Sequence, residues 1–413
     1  MTPIRVMHFA DTHFGVENYG RLDPATGLNT RLLDFKRSLC TAIEMALEQG
    51  VQLAVFAGDA YKSRDPSQTH QREFAECVRR LTEKGVPVVM LTGNHDIPNM
   101  RGRAHAMEIW RTLGVTGVHI VSRPDLLVVE TSGGPVQIAA MPYLMRGFML
   151  AREEFLGKTT DEVRALMEER YSAALKELAG RCDSSLPTIL MGHFWVRDAR
   201  LSSWQQGYFN VNEPQIDLAD LTQPPFDYVA LGHIHKHQDL NRGKQPPVVY
   251  AGSPDAIDFG ERDERKGFVM VELAKGKTTF ELVEVEGRRG LIEIEVDAGT
   301  ETPTETILEA IHRHDLRNAI ARLTYRVSPE AVPLVREKEL REALAPAFLV
   351  VAMRREVARD HRARTKALTE SLDPREALVH YLEQSEKGRK RKDELLAYAD
   401  LLLEELRREE AVK

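Results

Sequence analysis

Five short motifs, each following a run of aliphatic or β-branched residues, constrain this 413-residue chain more than any other feature. They are Asp11-Thr12-His13, Gly58-Asp59, Gly93-Asn94-His95-Asp96, Gly192-His193 and Gly232-His233-Ile234-His235. The runs before them, at 4–10, 53–57, 86–91, 188–191 and 228–231, read as strands because they are short, apolar and bounded by Gly or Asp. The motifs therefore fall where strands end and loops begin, which is where α/β sheets carry their chemistry. Between them lie helical spacings: Leu39, Ile43 and Leu47 within 32–49, stopped by Gly50, then Phe74, Val78 and Leu81 within 68–84. A helix is also predicted over 161–179. Further strands at 118–121, 126–130, 136–141 and 248–251, with a hairpin over 267–273 and 279–285, predict an α/β fold of layered αββα form with mixed sheets.

At roughly 150 residues per domain, this length implies two or three domains. The motifs define a first domain over 1–286. Residues 287–355 change character, alternating strand and helix in a small α/β module. Residues 356–372 are charged and read as a linker. Over 373–413 a helical hairpin is expected: Asp373-Pro374-Arg375-Glu376 can form a capping box, and Leu378, Tyr381 and Leu382 follow at helical spacing. The basic run 387–392 interrupts it before Leu395, Leu396, Leu402, Leu403 and Leu406. That stripe is too small to make a core, so it docks either on the main body or on another protein.

Composition narrows the classes. With 42% hydrophobic and 29% charged residues, and no apolar run near the ~18 residues that cross a bilayer, a membrane-spanning protein is excluded. A cleaved leader would remove Asp11, so the chain is expected to begin near Met1 and to be cytoplasmic. Cys40, Cys77 and Cys182 are odd in number and lack metal-like spacing; they read as inert thiols in a reducing compartment. A net charge of −7 provides no global attraction for nucleic acid, so any such contact must be local.

The motif side chains mix hard carboxylates with intermediate imidazoles, a set that suits Mn, Fe, Zn or Co better than Ca or Mg. If Asp59 bridges two ions, Asp11, His13 and His235 complete one site, while Asn94, His193 and His233 complete the other. Two cations about 3.5 to 4 Å apart clamp a phosphate, activate a shared water and stabilise both oxygens of an in-line displacement. His95 is then left to protonate the leaving oxygen or to stabilise transition-state charge. Asp96 either orients that imidazole or caps the next turn. Taken singly the motifs are weak, since Asp and Asn cap turns and a lone His is usually a surface residue. In this order, all at strand ends, they leave little room for a purely structural reading. His8, His70, His105, His119 and His237 receive no catalytic role.

These residues resemble the calcineurin-like metallophosphoesterase superfamily and, within it, the SbcD family, the bacterial nuclease subunits of SbcCD complexes. Beyond the ligand set, the likeness rests on Phe9-Ala10-Asp11-Thr12-His13, on Gly58-Asp59-Ala60-Tyr61 with residues 64–67, and on Gly252-Ser253-Pro254. It implies Asp11, His13, Asp59, Asn94, His193, His233 and His235 as metal ligands and His95 as the catalytic histidine. It further implies Mn-dependent exonuclease and single-strand endonuclease action on DNA in repair, a cap domain, a homodimer, and C-terminal helices that bind an SbcC-like SMC-type ATPase. Helices 32–49 and 68–84 resemble the family's dimer-forming helices, with packing on the sheet as an equal reading. Where relatives often carry histidine three residues after the bridging Asp, this chain has Lys62. Serine/threonine phosphatases carry Asp-Arg-Gly after the second motif, whereas Ser63-Arg64-Asp65 stands here. For phosphate contact the candidates are Lys62, Arg64, Arg101 and Arg103, with Arg21 and Arg31 also near motif loops. Phe194, Trp195, Trp204, Tyr208 and Phe209 either stack on an unpaired base or form a local core. The competing functions are a dimetal phosphomonoesterase or cyclic-nucleotide phosphodiesterase, and an inactive tether.

Overall fold

The computed structural model describes residues 2–98, 102–145, 156–207, 213–358, 374–383, 389 and 391–410. Contacts divide the chain into two units. The first comprises Met1–Ile294, Arg313–Leu323 and Leu344–Ala352, and the second Glu295–His312, Thr324–Ala343 and Met353–Lys413.

In chain order the strands are β1 (Ile4–Phe9), β2 (Leu53–Phe56), β3 (Val88–Leu91), β4 (Val118–Val121), β5 (Asp125–Thr131), β6 (Gly134–Met141), β7 (Thr188–His193), β8 (Trp195–Val196), β9 (Gln215–Ile216), β10 (Tyr228–Gly232), β11 (Gln238–Asp239), β12 (Val248–Tyr250), β13 (Gly267–Leu273), β14 (Thr279–Glu284), β15 (Leu291–Asp297), β16 (Ile320–Val327) and β17 (Leu349–Val357). Two six-stranded sheets dominate the first unit, ordered β14-β13-β1-β2-β3-β4 and β11-β12-β10-β7-β6-β5. In one, β1 through β4 run parallel, β13 is antiparallel to β1, and β14 is antiparallel to β13. In the other, β6, β7, β10 and β12 run parallel, flanked by antiparallel β5 and β11. Both sheets are mixed, as the alternation of motifs and hairpins predicts.

The period of two along each strand makes the layers. Val6 of β1 and Val55 of β2 face Ile138, Ile189 and Ala230 of the other sheet in one apolar cluster. Met7, Phe9 and Phe56 point the opposite way, onto Leu39 and Ile43 of helix α1 (Thr30–Glu48) and Phe74 and Val78 of helix α2 (Gln68–Glu83). The outer face of the second sheet packs Leu190, Val229 and Leu231 against Tyr171, Leu175 and Leu178 of the helix Thr160–Arg181. Helix, sheet, sheet, helix is therefore the stacking order. The helices start where their caps dictate: Asn29 accepts from Arg31 N, Ser67 from His70 N, and Thr159 with Glu162 closes a full capping box.

Strands β15, β16 and β17 form a separate three-stranded sheet. The division between the units falls within each of these strands, after Ile294, Leu323 and Ala352. By this division residues 287–294 fall in the first unit. Strand β17 runs through Val357, so Glu356 and Val357, within the expected linker, are strand. Within the second unit, the helices Pro374–Glu383 and Lys392–Glu410 are joined by the Arg375–Asp400 ion pair at 2.6 Å. Leu382 and Leu396 are buried there, whereas Tyr381, Tyr398, Leu401 and Leu402 are exposed. Residues 359–373, including the proposed cap Asp373, residues 387, 388 and 390 of the basic run and the Leu406 side chain lie outside the described residues. Among the described residues, no helix is long and apolar enough to cross a membrane.

Candidate metal centre

Because β1, β2 and β3 are parallel, their C-terminal ends deliver Asp11 and His13, Asp59, and Asn94 and His95 to one edge of their sheet. Parallel β7 and β10 do the same for His193, His233 and His235. The two edges meet. Asp11 N donates to Gly58 O at 2.9 Å and the Asp11 carboxylate accepts from His233 N at 3.0 Å, which ties the first, second and fifth motifs together. The loops reach this geometry through backbone conformations that L-residues avoid: Asp11, His13, Asp59 and His233 have φ of 54°, 43°, 60° and 94°. Such strain persists only where surrounding contacts over-determine it, and it concentrates at functional sites. The preceding glycines serve the same close approach. A Cβ on Gly58 would meet His193 Nδ1 at 2.4 Å, and one on Gly93 would meet Asp59 Oδ1 at 2.1 Å.

Asp59 lies at the centre. Its Oδ1 accepts from His95 N at 2.9 Å, while Oδ2 stands 3.7 Å from His13 Nε2 and 3.5 Å from His193 Nε2. On one side His13 Nε2 faces His235 Nε2 at 3.0 Å. On the other, Asn94 Oδ1 lies 3.1 Å from His193 Nε2 and 3.0 Å from His233 Nδ1. Candidate donor atoms of Asp11, His13 and His235, of His13, Asp59 and His95, and of Asp59, His193 and His233 fall within 4.8 Å of one another in each set.

The donor chemistry fits cations. His235 Nδ1 is engaged by Glu261 Oε1 at 2.7 Å and His193 Nδ1 donates to Ala57 O at 2.6 Å. Each neutral ring then presents a bare Nε2 lone pair inward. Those lone pairs face His13 Nε2 in one case and the Asn94 and Asp59 oxygens in the other, and against the oxygens the arrangement repels unless a proton or a metal ion lies between. Without metal, a proton does. Burial works to lower His193, but the Asp59 and Asp11 charges outweigh it and raise the imidazole to about 9. Burial likewise works to raise Asp59, yet His193, His95 and His13 hold it well below the usual carboxylate range.

His95 is half-buried, donates from Nδ1 to Lys62 O at 2.7 Å and stands edge-on to His13 with centroids 5.0 Å apart. The backbone carbonyl of Lys62, not a carboxylate, therefore orients His95. Asp96 serves the loop: its buried carboxylate accepts from Gly93 N, Asp59 N and Ala60 N. Burial and the Asp59 charge push it up to about 7 while the amides pull the other way.

Three supporting side chains escaped the sequence reading. Glu261, fully buried, holds His235 and is itself neutralised by buried Lys266 at 2.8 Å. Glu213 Oε1 lies 2.9 Å from His233 Nε2. Each lies many residues from the histidine it supports, Glu261 and Lys266 within a charged run, so spacing alone had no signal for it. Carboxylates behind metal-ligating histidines fix the ring and raise its basicity.

The candidate phosphate contacts divide. Arg64 is half-buried and donates to Asn94 O at 3.3 Å. Exposed Arg103 pairs with Asp65, and the Lys62 side chain is exposed. Arg31 cannot contact substrate: it is fully buried, with Nη2 on Ala256 O and Nη1 facing Asp34. Arg21 stacks over the Phe348 ring at 4.4 Å. Arg101, Tyr208, Phe209 and the Trp204 side chain lie outside the described residues. Phe194 is core, edge-on to Tyr171. A groove of about 1850 Å³ passes Arg64, Arg103, Arg111 and Arg123 and reaches Tyr143, whose ring stands 6.0 Å from His233 and 6.4 Å from His193.

The model of the calcineurin-like phosphoesterase family matches residues 4–237, more than half of the chain and all five motifs. The chain belongs to the calcineurin-like phosphoesterases. Among similar proteins, the DNA double-strand break repair protein Mre11 of Thermoplasma acidophilum is 26% identical over 298 residues, covering 71% of this chain and 68% of that protein. The SbcD component of the SbcCD nuclease of Escherichia coli is 24% identical over 363 residues, covering 82% and 86%. Its counterpart in Bacillus subtilis is 24% identical over 283 residues, covering 66% and 67%. This phosphoesterase accordingly uses divalent metal ions, and its likeness to SbcD-type nucleases extends well past the motifs.

Proposed function

We propose that the chain is a DNA repair nuclease that hydrolyses phosphodiester bonds with two divalent ions, Mn as the preferred metal. The observation that carries this reading is the convergence of five strand-end loops on one cluster, with an arginine-bearing groove beside it whose wall includes Tyr143, 6.0 Å from His233. At about 1850 Å³ the groove exceeds the ~300–1,000 Å³ of small-molecule sites, which favours a polymer over a small monoester. Asp11, His13 and His235 with Asp59 would hold one ion, and Asn94, His193 and His233 with Asp59 the other. When bound, such ions supply Lewis acidity and lower the pKa of water. The protein's own part is positional: Glu261, Glu213 and Ala57 O fix the ligand rings, and Asp96 pins the loops of Asp59 and Gly93. His95, its Nδ1 held on Lys62 O, offers Nε2 as the proton donor to the leaving oxygen. Arg64, Arg101, Arg103 and Lys62 would contact backbone phosphates. Exonuclease action on ends and endonuclease action on single strands follow the SbcD resemblance. So do a homodimer in the cytoplasm, residues 287–355 as a cap, and the helical hairpin of 373–413 as the dock for an SMC-type ATPase. The exposed Tyr381, Tyr398, Leu401 and Leu402 support that dock.

The test incubates the full chain, Asp59→Ala and His95→Ala with end-labelled DNA in Mn or in chelator, beside a nitrophenyl ester and a cyclic nucleotide. Metal-dependent DNA cleavage lost in both variants is expected. Turnover of the small esters with intact DNA would replace the nuclease by a phosphomonoesterase or cyclic-nucleotide phosphodiesterase, and bound metal with no hydrolysis at all would favour a tether.

A further inference from the structure

Cys40 on α1 and Cys77 on α2, 37 positions apart, bring their Sγ atoms to 2.9 Å. The sequence offers no reason to expect this, since two helices at unrelated spacing carry one cysteine each. The surroundings hold the pair together. Lys36 of α1 bridges Glu73 and Glu76 of α2, and Arg80 of α2 pairs with Glu44 of α1, so ion pairs join the two helices on either side of the thiols. Apolar neighbours Leu39, Ile43, Phe74 and Val78 fill the seam beneath. The two thiols are not equivalent. Cys40 keeps 8% of its surface exposed, while Cys77 is completely buried. The hydrogen bond with Cys77 and the nearby Arg80 and Lys36 lower Cys40, whereas that same bond and burial raise Cys77.

We propose that Cys40 and Cys77 are a peroxide-reactive dithiol that closes to an internal disulfide between α1 and α2. Hydrogen peroxide, small enough for a site with so little exposed surface, supplies the oxidising equivalents. The Cys40 thiolate attacks one peroxide oxygen; an S–O bond forms, the O–O bond breaks, and the departing hydroxide takes up the proton released by the thiol to give water. The Cys77 sulfur then attacks Cys40 sulfur; the S–S bond forms, the S–O bond breaks, and hydroxide leaves with the Cys77 proton as a second water. Two thiols are oxidised by two electrons and one peroxide is reduced. The resolving partner is already in contact, so closure competes well with further oxidation of Cys40. This site stands apart from the metal centre, and its test does not use the hydrolytic activity.

Full-length protein, Cys40→Ser, Cys77→Ser and Cys182→Ser are treated with peroxide, denatured, alkylated and weighed intact. Wild type and Cys182→Ser are expected to lose two alkylatable thiols and ~2 Da while remaining single chains. Cys40→Ser and Cys77→Ser should not form an internal crosslink. The oxidised wild type should melt on the order of 3 °C higher, because a crosslink restricts the unfolded chain, and dithiothreitol should reverse the shift. Retention of all alkylatable thiols would overturn the proposal. So would oxygen added to Cys40 with Cys77 still alkylatable, or crosslinking that depends on Cys182.

Discussion

The two halves of the metal centre are built differently. The half formed by Asp11, His13 and His235 is sealed: its ligands are at most 4% exposed, and behind His235 stand Glu261 and Lys266, both at 0%. The half formed by Asn94, His193 and His233 is less enclosed: Asn94 is partly exposed, and Tyr143, which lines the groove, stands 6.0 Å from His233. A sealed half can hold an ion by rigidity, since a buried, fully hydrogen-bonded charge network has few alternative arrangements. An open half must admit a phosphate, and its supporting carboxylate is correspondingly nearer to solvent. Holding and admitting are divided between the two sides, and Asp59 belongs to both.

The largest expected effect breaks both halves at once. Asp59→Ala removes the shared oxygen and the acceptor of His95 N, so DNA hydrolysis should fall by at least ~10³-fold, about 4 kcal/mol in activation free energy. Metal content, measured by elemental analysis of the dialysed protein, should fall with it. His95→Ala should separate chemistry from coordination: kcat drops on the order of 10²- to 10⁴-fold with bound metal unchanged. A parallel loss of metal would place His95 among the ligands rather than the proton donors.

The sealed half can be broken without touching a ligand. Glu261→Gln leaves Lys266 buried beside a neutral amide, with Glu264 as its remaining carboxylate at 3.0 Å. Stripping one partner from a buried pair costs about 3–5 kcal/mol, which thermal melting of the metal-free protein would register. It should also weaken metal binding by about 10- to 100-fold, as lost support behind a ligating histidine does. Glu213→Gln makes the same change behind His233, where the carboxylate side chain is 11% exposed. It should weaken metal binding similarly and melt within a degree or two of wild type. Equal melting losses would erase the distinction between the halves.

What was legible in the sequence follows from the same division. The candidate ligands could be read because each of the five motifs follows an apolar strand within a few residues and the five keep one order. Strand alternation also gave the layers, since Val6 and Met7 must face opposite ways. Arg31 misled, because nearness to a motif loop says nothing about which side of α1 faces in. Asp96 lies within a motif, yet only the fold shows its carboxylate turned to three backbone amides instead of the neighbouring imidazole. Glu261 sits in the run Asp258 to Lys266, whose charge reads as solvated surface. Its burial depends on a contact with His235 that no local pattern encodes.

pH separates metal-free from loaded protein. His193 is raised to about 9, and His235 is raised too: burial opposes the shift, but Glu261 prevails. A raised folded-state pKa stabilises the metal-free fold fully below the unfolded value of about 6.5 and ceases to do so as pH rises through about 9. Metal-free protein should therefore lose melting temperature from pH 6.5 to 9. Metal binding requires the neutral rings, so Mn affinity should climb over the same interval and level off above it. Calorimetry in buffers of different ionisation enthalpy would count the released protons. In Glu261→Gln the share from His235 should vanish, while that from His193 in the open half persists.

The smallest effect belongs to the groove outside both halves. Arg103→Ala removes a guanidinium that already pairs with Asp65 on the surface, a bond worth at most about 1 kcal/mol, so folding should be indifferent. If the side chain exchanges Asp65 for a DNA phosphate, KM for DNA should rise a few-fold with kcat unchanged, and the slope of log affinity against log salt should flatten by about one unit. Arg64 provides the contrast, because its Nε holds the backbone of Asn94. Arg64→Ala should lower kcat as well as raise KM, since it loosens a candidate ligand of the open half. The same change in both variants would mean that the groove acts on DNA as one electrostatic surface and that Asn94 takes its position from Asp59 and Asp96 alone.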